Sequence, residues 1–586
     1  MMSPAWAGSI PTTEASTERR WVLPPEHPGA AALARELHIS PVIAQLLIGR
    51  GLGDVALARA FLTAGLDSLH SPHALLSMDV ALERLQRAIR NGEKIRIHGD
   101  YDVDGTTSTA ILKTAIELAG GQASFHIPHR LKEGYGISIS AVDQSARDGV
   151  TLMISVDTGI RAAAVVARAA ELGMDVIITD HHLPDSAIPL AIAVINPNRP
   201  GCLYPNKDLC GVGVAYKLVE ALLSSLGWPE AKLKRVLASF LKMVAIGTVA
   251  DVVPLTGENR ALVKHGLAAL RDLRSPGLQA LFAVAGIEPG TYPTARQIGF
   301  QIGPRINAAG RMASATDAVD LFLTQDLGRA QAIAAQLNEH NTARRAEEEA
   351  VQEVILKECL AAPPGEDSFA LVFSAEGWHR GVLGIVASRL VEKFHRPVFV
   401  LSEENGNASG SGRSIAGFHL LNALDSMPEL FAKYGGHKHA AGLTMPAGAV
   451  AAFRDRFNSH ASRCLTREDL LPAIEIDAIA TLPELNDGLY RGLEALEPFG
   501  HGNPAPVFAA MGAEVAGPVT FMKEKHLKVP LRQGTRTIWF KAFNCSERAV
   551  ELPMGARVDI AFALEEDRYN QGRWSPILRD FRPSQN

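Results

Sequence analysis

Five short runs rich in β-branched residues, IRIHG, ASFHIP, TLMISVD, DVIITD and IAVIN, alternate with helical stretches between about residues 80 and 200. The stretches between them include TTSTAILKTAIELAGG, ISISAVDQSARDG and RAAAVVARAAELGM, with apolar residues at helical spacing and glycine near their ends. Such alternation predicts a doubly wound α/β domain built on a parallel sheet. In an open sheet of this kind, ligands gather at the carboxyl ends of the strands. The charged residues stand there. Asp100, Asp102 and Asp104 follow the first run in GDYDVDG, Asp157 follows TLMISV, and Asp180, His181 and His182 follow DVIIT. Asp251 follows a further apolar stretch in GTVADVVP.

DYDVDG by itself has other readings. It matches the opening of an EF-hand loop, but Ile111 occupies the twelfth position, where a bidentate glutamate belongs, and the run before it is strand-like. It can also be an acidic turn capping the next helix, with Thr106 or Thr107 as N-cap. A lone aspartate after a strand is commonly a cap, and a histidine pair is often plain surface. Three strands delivering carboxylates or imidazoles to one edge favour a shared cation instead. Carboxylates with imidazole suit Mn²⁺ or Mg²⁺. A shared carboxylate can bridge two ions about 3.5–4 Å apart, which activate water and stabilise both attacking and leaving oxygens at phosphorus. The helix that starts at TTSTAIL points its positive end at the same edge.

With 586 residues the chain has room for three or four domains. Its 47% apolar and 21% charged content are those of an ordinary globular protein, and a net charge of −5 means that any nucleic-acid surface must be local. The cysteines Cys202, Cys210, Cys359, Cys464 and Cys545 are odd in number and show no CxxC pair, as expected of reduced thiols in a cytoplasm. No uninterrupted apolar span suggests a membrane helix, and MMSPAWAGSIPTTEASTERRW lacks the features of a signal peptide and reads as a loose tail.

The expected organisation is a tail and helical segment over 1–75, an α/β catalytic domain over 76–315 and a long connecting helix over 316–365. A second α/β domain over 366–465 and a β-barrel or sandwich domain over 466–586 follow. The helix is read from GRAQAIAAQLNEHNTARRAEEEAVQEVILKECLAA, which ends at the turn signal PPGED. The last domain is read from short strand-like runs with frequent Gly and Pro.

HGDYDVDGT, SVDTG, TDHH and GTVADVVPL, in this order, resemble the four motifs of the DHH phosphoesterase superfamily. YGGHKHAAG resembles the GGH motif of the associated DHHA1 domain. PHRLKEGYG, GPRINAAGR and GWHRGVLGIVASRL resemble the RecJ branch, bacterial single-strand-specific 5′→3′ exonucleases. The resemblance runs from about residue 80 to the C-terminus. It implies ligation of two ions, Mn²⁺ or Mg²⁺, by Asp102, Asp104, Asp157, His181 and Asp251. His98 and Asp100 compete for a further ligand position, and the spelling GDYD, typical of RecJ-like chains, favours Asp100. Asp180 and His182 would orient ligands or face the substrate. The resemblance also implies phosphate contacts from Arg130, Arg305, Asn307, Arg311, Arg413 and His437, with interdomain salt bridges as the alternative for Arg305 and Arg311. For Gly435 and Gly436 a plain turn is the alternative reading, and such a turn would also let backbone approach a ligand.

The stretch FMKEKHLKVPLRQGTRTIWFKAF carries Lys523, Lys525, Lys528, Arg532, Arg536 and Lys541 against the single acid Glu524, interleaved with Phe521, Trp539, Phe540 and Phe543. Basic residues beside aromatic platforms suit a single strand held by an OB-like domain, although the aromatics can equally be core. Together these features imply a metal-dependent exonuclease that degrades single-stranded DNA to 5′-mononucleotides in repair and recombination. It would be a cytoplasmic monomer working beside single-strand-binding protein and a RecQ-type helicase. A DHH enzyme for short oligonucleotides or cyclic dinucleotides, and a metal-free DNA-binding scaffold, are the alternatives.

Overall fold

The computed structural model describes residues 19–25, 27–130, 133–134, 136–567 and 574–584. The chain divides into two compact units, one of residues 56–343 with 495–505, the other of residues 1–55, 344–494 and 506–586.

In the first unit, β1 (Lys94–His98), β2 (Gln122–His126), β3 (Leu152–Val156), β4 (Asp175–Thr179) and β5 (Ala193–Ile195) form one sheet in the order β2-β1-β3-β4-β5. Every neighbouring pair is parallel. Side chains alternate across a strand, and the two sets find different cores. Ile95, Ile97, Leu152, Ile154, Ile177 and Ile195 join the large core with α1 (Met78–Arg90), α2 (Val103–Leu118) and α5 (Gly211–Ser224). Met153, Val176, Ile178 and Val194 join a smaller one with α3 (Ile139–Arg147) and α4 (Ala163–Glu171). Both faces are covered, so the strands read as nearly continuous apolar runs. The register pairs His98 with Ser155 and Val156 with Thr179, and the strand ends come level. Asp100, Asp157 and Asp180 therefore leave the sheet at one edge.

Beyond the sheet, α6 (Glu230–Ala250), α7 (Gly257–Ala269) and α8 (Gly303–Met312) pack into the large core. The long helix α9 (Leu327–Ala361) runs for 35 residues, close to the span read from the sequence. Residues 495–505, just ahead of the barrel strands, belong to this unit. Arg260 of α7 is 1% exposed and donates to the carbonyls of Phe61, Ala495, Leu496 and Glu497 at 2.7–3.0 Å. Leu255 N–H donates to His501 O at 2.7 Å. A buried guanidinium gathering four carbonyls leaves no pattern in hydropathy, so this folding-back is not legible in the chain.

The second unit holds a mixed sheet of β6 (Leu371–Glu376), β7 (Val398–Glu404), β8 (Asn407–Arg413), β9 (Lys433–Gly436) and β10 (Ala440–Pro446), in the order β9-β10-β8-β7-β6. Only β6 and β7 pair in parallel. It also holds β11 (Phe508–Val515), β12 (His526–Gln533), β13 (Arg536–Ala542), β14 (Arg557–Glu566) and β15 (Trp574–Pro583). These run β11-β14-β15-β13-β12, and pairing of β11 with β12 closes a five-stranded barrel. Five strands closed in this way match an OB fold.

Residues 1–18 of the expected tail lie outside the described residues. The end of it is not loose, however. Arg20–Val22 pairs in parallel with Ala473–Glu475. Trp21 is buried, donates Nε1–H to Asp580 Oδ2 at 2.8 Å, and lies 4.4 Å from the Arg582 guanidinium carbon. A three-residue strand is too short to show a period. All five cysteines are free. No single helix among the described residues is long and apolar enough to cross a membrane.

Trp21→Ala is expected to destabilise the barrel by about 3 kcal/mol through the cavity it leaves. Trp21→Phe keeps most of the packing and should cost about 1 kcal/mol for the lost hydrogen bond. Urea unfolding of the full chain, followed by barrel-reporting fluorescence, checks both.

Candidate metal centre

Two helix N-termini and three strand ends build the centre. Asp102 caps α2, accepting the Gly105 N–H at 2.9 Å. Thr106 and Thr107, the caps expected from sequence, lie inside the first turns and donate back to the carbonyls of Asp102 and Val103 at 2.7 Å. Asp104, 1% exposed, accepts the N–H groups of Gly211 and Val212 at 2.5 and 2.7 Å, so the start of α5 holds it. Glycine is required at that start: a Cβ on Gly211 would stand 2.6 Å from Asp157 Cβ and Oδ1.

Asp157 follows β3 with φ +60°, a left-handed conformation uncommon outside glycine, asparagine and aspartate, and is buried. Asp180 follows β4 and turns back on its own loop. Its Oδ1 accepts from the N–H of His181 and His182 and lies 2.8 Å from His182 Nδ1, while Oδ2 accepts from Ile160 N–H. This fixes His181, whose Nε2 lies 3.2 Å from Asp157 Oδ1, 3.7 Å from Asp251 Oδ2 and 3.9 Å from Asp104 Oδ2. Asp251 itself caps the C-terminus of α6.

Three sets of donors converge: Asp100, Asp102 and Asp157; Asp157, His181 and His182; and Asp104, Asp251 and Cys210, each with its ligand atoms within 4.8 Å of one another. Asp157 belongs to two of them. Asp100 Oδ1, Asp157 Oδ1, His181 Nε2 and Asp251 Oδ2 are buried without a hydrogen-bond partner among the described residues. Buried polar atoms normally have partners. Hard oxygens with one imidazole suit Mn²⁺ or Mg²⁺, so the residues fit the ions that the sequence implies.

The electrostatics agree. Burial, then the charge of Asp102, pushes Asp100 up to about 8 and Asp104 up to about 7. Burial and the field of Asp104 raise Asp157 and Asp251 well above the carboxylate range. Burial and neighbouring His182 lower His181 to about 4, leaving it neutral, the form that ligates. Burial opposes a charge on His182, but the bond to Asp180 and the surrounding carboxylates outweigh it and raise its pKa. His98 is lowered to about 3 by burial and by His126, whose ring centroid is 5.0 Å away, and it stands outside the three donor sets.

The other expected contacts divide. Arg130 lies 5.0 Å over the Tyr101 ring, and its charge, like that of Arg311, is felt by Tyr101. Leu131, Lys132 and Tyr135 of the same motif lie outside the described residues. Arg305 donates to Asn338 Oδ1, Gln301 O and Val284 O, which brace α8 within this unit. Asn307 Oδ1 accepts the Val103 N–H at 3.1 Å and so steadies the first turn of α2. In the second unit, Arg413 Nη1 donates to Gly412 O, and His437 N–H to Ala440 O. Gly435 and Gly436 are not in a plain turn but in β9, paired with Gly442 and Ala441. On the barrel Phe521, Trp539 and Phe543 are 58%, 48% and 51% exposed, whereas Phe540 is core. Lys528 Nζ is 5.9 Å from the Trp539 ring centroid. Arg532 and Lys541 pair with Glu514 and Asp567. Sequence reasoning missed Cys210 and the N–H groups of Gly211 and Val212. The small-residue run CGVG opening a helix was the available signal.

Three family models match the chain: the DHH family N-terminal domain over 94–248, the DHHA1 domain over 367–463 and the RecJ OB domain over 476–577. The single-stranded-DNA-specific exonuclease RecJ of Dickeya dadantii is 39% identical over 515 residues, covering 85% of this chain and 89% of that protein. The RecJ of Bacillus subtilis is 36% identical over 96% of this chain and 70% of that protein. The crystal structure of RecJ from Thermus thermophilus in complex with Mn²⁺ superimposes with a TM-score of 0.81 at 32% identity, covering 97% of this chain and 80% of that one. The Mg²⁺ complex gives 0.76 at 30% identity, covering 97% of this chain and 79% of that one.

With no cation, the folded centre binds more protons than the unfolded chain from about pH 4 upward, because its carboxylates titrate above their ordinary values. Stability of the metal-free chain should therefore fall as pH rises from about 5 through about 8. Mn²⁺ should raise Tm more at the upper end of that range than at the lower. Mn²⁺ binding near neutral pH should also release protons, seen calorimetrically as an enthalpy that depends on the buffer. A buffer-independent enthalpy would contradict the protonated centre.

Proposed function

The chain belongs to the RecJ family of single-stranded-DNA-specific exonucleases, and from that premise we propose how its residues divide the work of a metal-dependent exonuclease acting on single-stranded DNA. The convergence of four unpartnered buried donor atoms at one sheet edge carries the assignment. Asp100, Asp102, Asp104, Asp157, His181 and Asp251 would hold two Mn²⁺ or Mg²⁺ ions, which supply activated water and charge neutralisation at the phosphodiester. Asp180 positions His181 through its backbone and, by its bond to Nδ1, orients His182 and raises its pKa toward a role at the substrate phosphate. Arg130 and Arg311 add positive charge around Tyr101. Arg305 and Asn307 act through the motif they brace. Arg413, His437, Lys525, Lys528 and Trp539 are assigned to the strand: guanidinium and imidazole to phosphate, Trp539 to base stacking.

Digestion proceeds 5′→3′ and releases 5′-mononucleotides, in a cytoplasm where a helicase of the RecQ type opens duplexes and single-strand-binding protein covers the product. The resemblance of the motifs supports this polarity and these partners.

A 5′-phosphorylated single strand labelled at its 3′ end, incubated with the protein and Mn²⁺, should shorten progressively while the duplex stays intact. Immediate release of labelled mononucleotide would reverse the polarity. Asn307→Ala should lower kcat about 10- to 100-fold, the usual range for groups that orient ligands. Phosphate binding by Asn307 would instead appear mainly in KM.

A further inference from the structure

The segment leading into GPRINAAGR carries a side chain with no part in the centre described above. Ile298–Ile302 forms one π-helical turn that continues into α8. Such turns are frequent at functional sites. Here Phe300 is 78% exposed, while Ile298, Ile302 and Ile306 are fully buried.

Packing fixes the backbone on either side of that ring. A Cβ on Gly299 would lie 3.7 Å from Val249, and one on Gly303 would lie 3.5 Å from Ala250 and 3.9 Å from Val103. Those neighbours shortly precede Asp251 and Asp104. Further on, Asn307 binds the Val103 N–H, and Gly310 abuts Tyr101. Phe300, Pro304, Asn307 and Arg311 recur at i, i+4, i+7 and i+11, the spacing of one helical stripe. Seven positions along a helix, from Asn307 back to Phe300, span about 10 Å. Val252 supplies an independent observation. It follows Asp251 directly, is 64% exposed, and has φ +61°. A β-branched residue in the left-handed region is strained and persists where its surroundings over-determine it, typically at functional sites.

We propose that Phe300 is a stacking platform for a nucleobase of the bound single strand, with Val252 as the apolar wall nearest the metal centre. The inference rests on the exonuclease reading. A strand whose phosphates follow the metal centre and Arg311 turns its bases outward onto the ring. Stacking tolerates every base, because each has a π-face, and so needs no sequence. Bases in a duplex are already stacked and paired and cannot reach the ring, so Phe300 discriminates between single and double strands.

Steady-state digestion of an oligo-dT series, each member with one abasic position, tests this in the full chain with Mn²⁺. Phe300→Ala should raise KM for the intact strand by about 5- to 100-fold, the usual range for one stacked base, and Phe300→Trp should restore it. In the wild type an abasic residue at one position should raise KM. Phe300→Ala should be blind to that same substitution. A wild-type KM in Phe300→Ala, or an abasic penalty that survives in it, overturns the platform while leaving the exonuclease in place. A wild type that does not digest single strands removes the exonuclease reading itself.

Discussion

Repulsion among buried carboxylates is the constraint around which the first unit is organised. Asp100, Asp104 and Asp157 are each at most 3% exposed. Burying like charges together is costly unless a counter-charge is present or the groups neutralise. The fold provides partial counter-charge in fixed form. The first N–H groups of α5 take up both oxygens of Asp104, and the start of α2 takes up Asp102. What those dipoles cannot balance is left for divalent ions, and the unpartnered oxygens mark where they belong. A site that is incomplete without its metal must also be stiff without it. The glycine contacts at Gly105 and Gly211, which press backbone directly on Asp100 and Asp157, supply that stiffness.

The sheet turns sequence order into spatial order. Level strand ends deliver Asp100, Asp157 and Asp180 to a common edge with no need for long loops. Asp180 then differs from its neighbours in kind. Burial raises its pKa, but His182 and three backbone N–H groups outweigh burial, so it stays ionised and holds the histidines. Asp157 and Asp180, each directly after its strand, thus take opposite roles because the first faces carboxylates and the second faces N–H donors.

The parts of this structure that repeat were legible in the chain. Period-2 and helical spacing revealed the five strands and the long helix, and acids at strand ends revealed the metal centre. Features resting on single side chains were not. Asn307 reads as a phosphate contact in GPRIN, and nothing in the motif signals that its Oδ1 accepts the Val103 N–H. Arg305 reads as a phosphate contact or a salt bridge, with no sign of its bonds to Asn338 and to the carbonyls of Gln301 and Val284. A polar residue near a site has the same spelling whether it faces the ligand or the backbone behind it. Burial and geometry decide, and neither has a period.

The same reasoning explains why GPRINAAGR sits beside GDYDVDGT in space although roughly 200 residues separate them. Asn307 needs the unsatisfied N–H of the first residue of α2, which the helix itself cannot bond. Gly310 has to approach the Tyr101 carbonyl closely, and a Cβ there would stand 2.7 Å from it. Arg305 ties the same helix to α9 through Asn338. The acidic turn, the helix that braces it and the start of the long helix are therefore one mechanical piece. Asn307 and Gly310 together hold the turn that carries Asp102 and Asp104, so the geometry of the acidic cluster depends on a helix about 200 residues away.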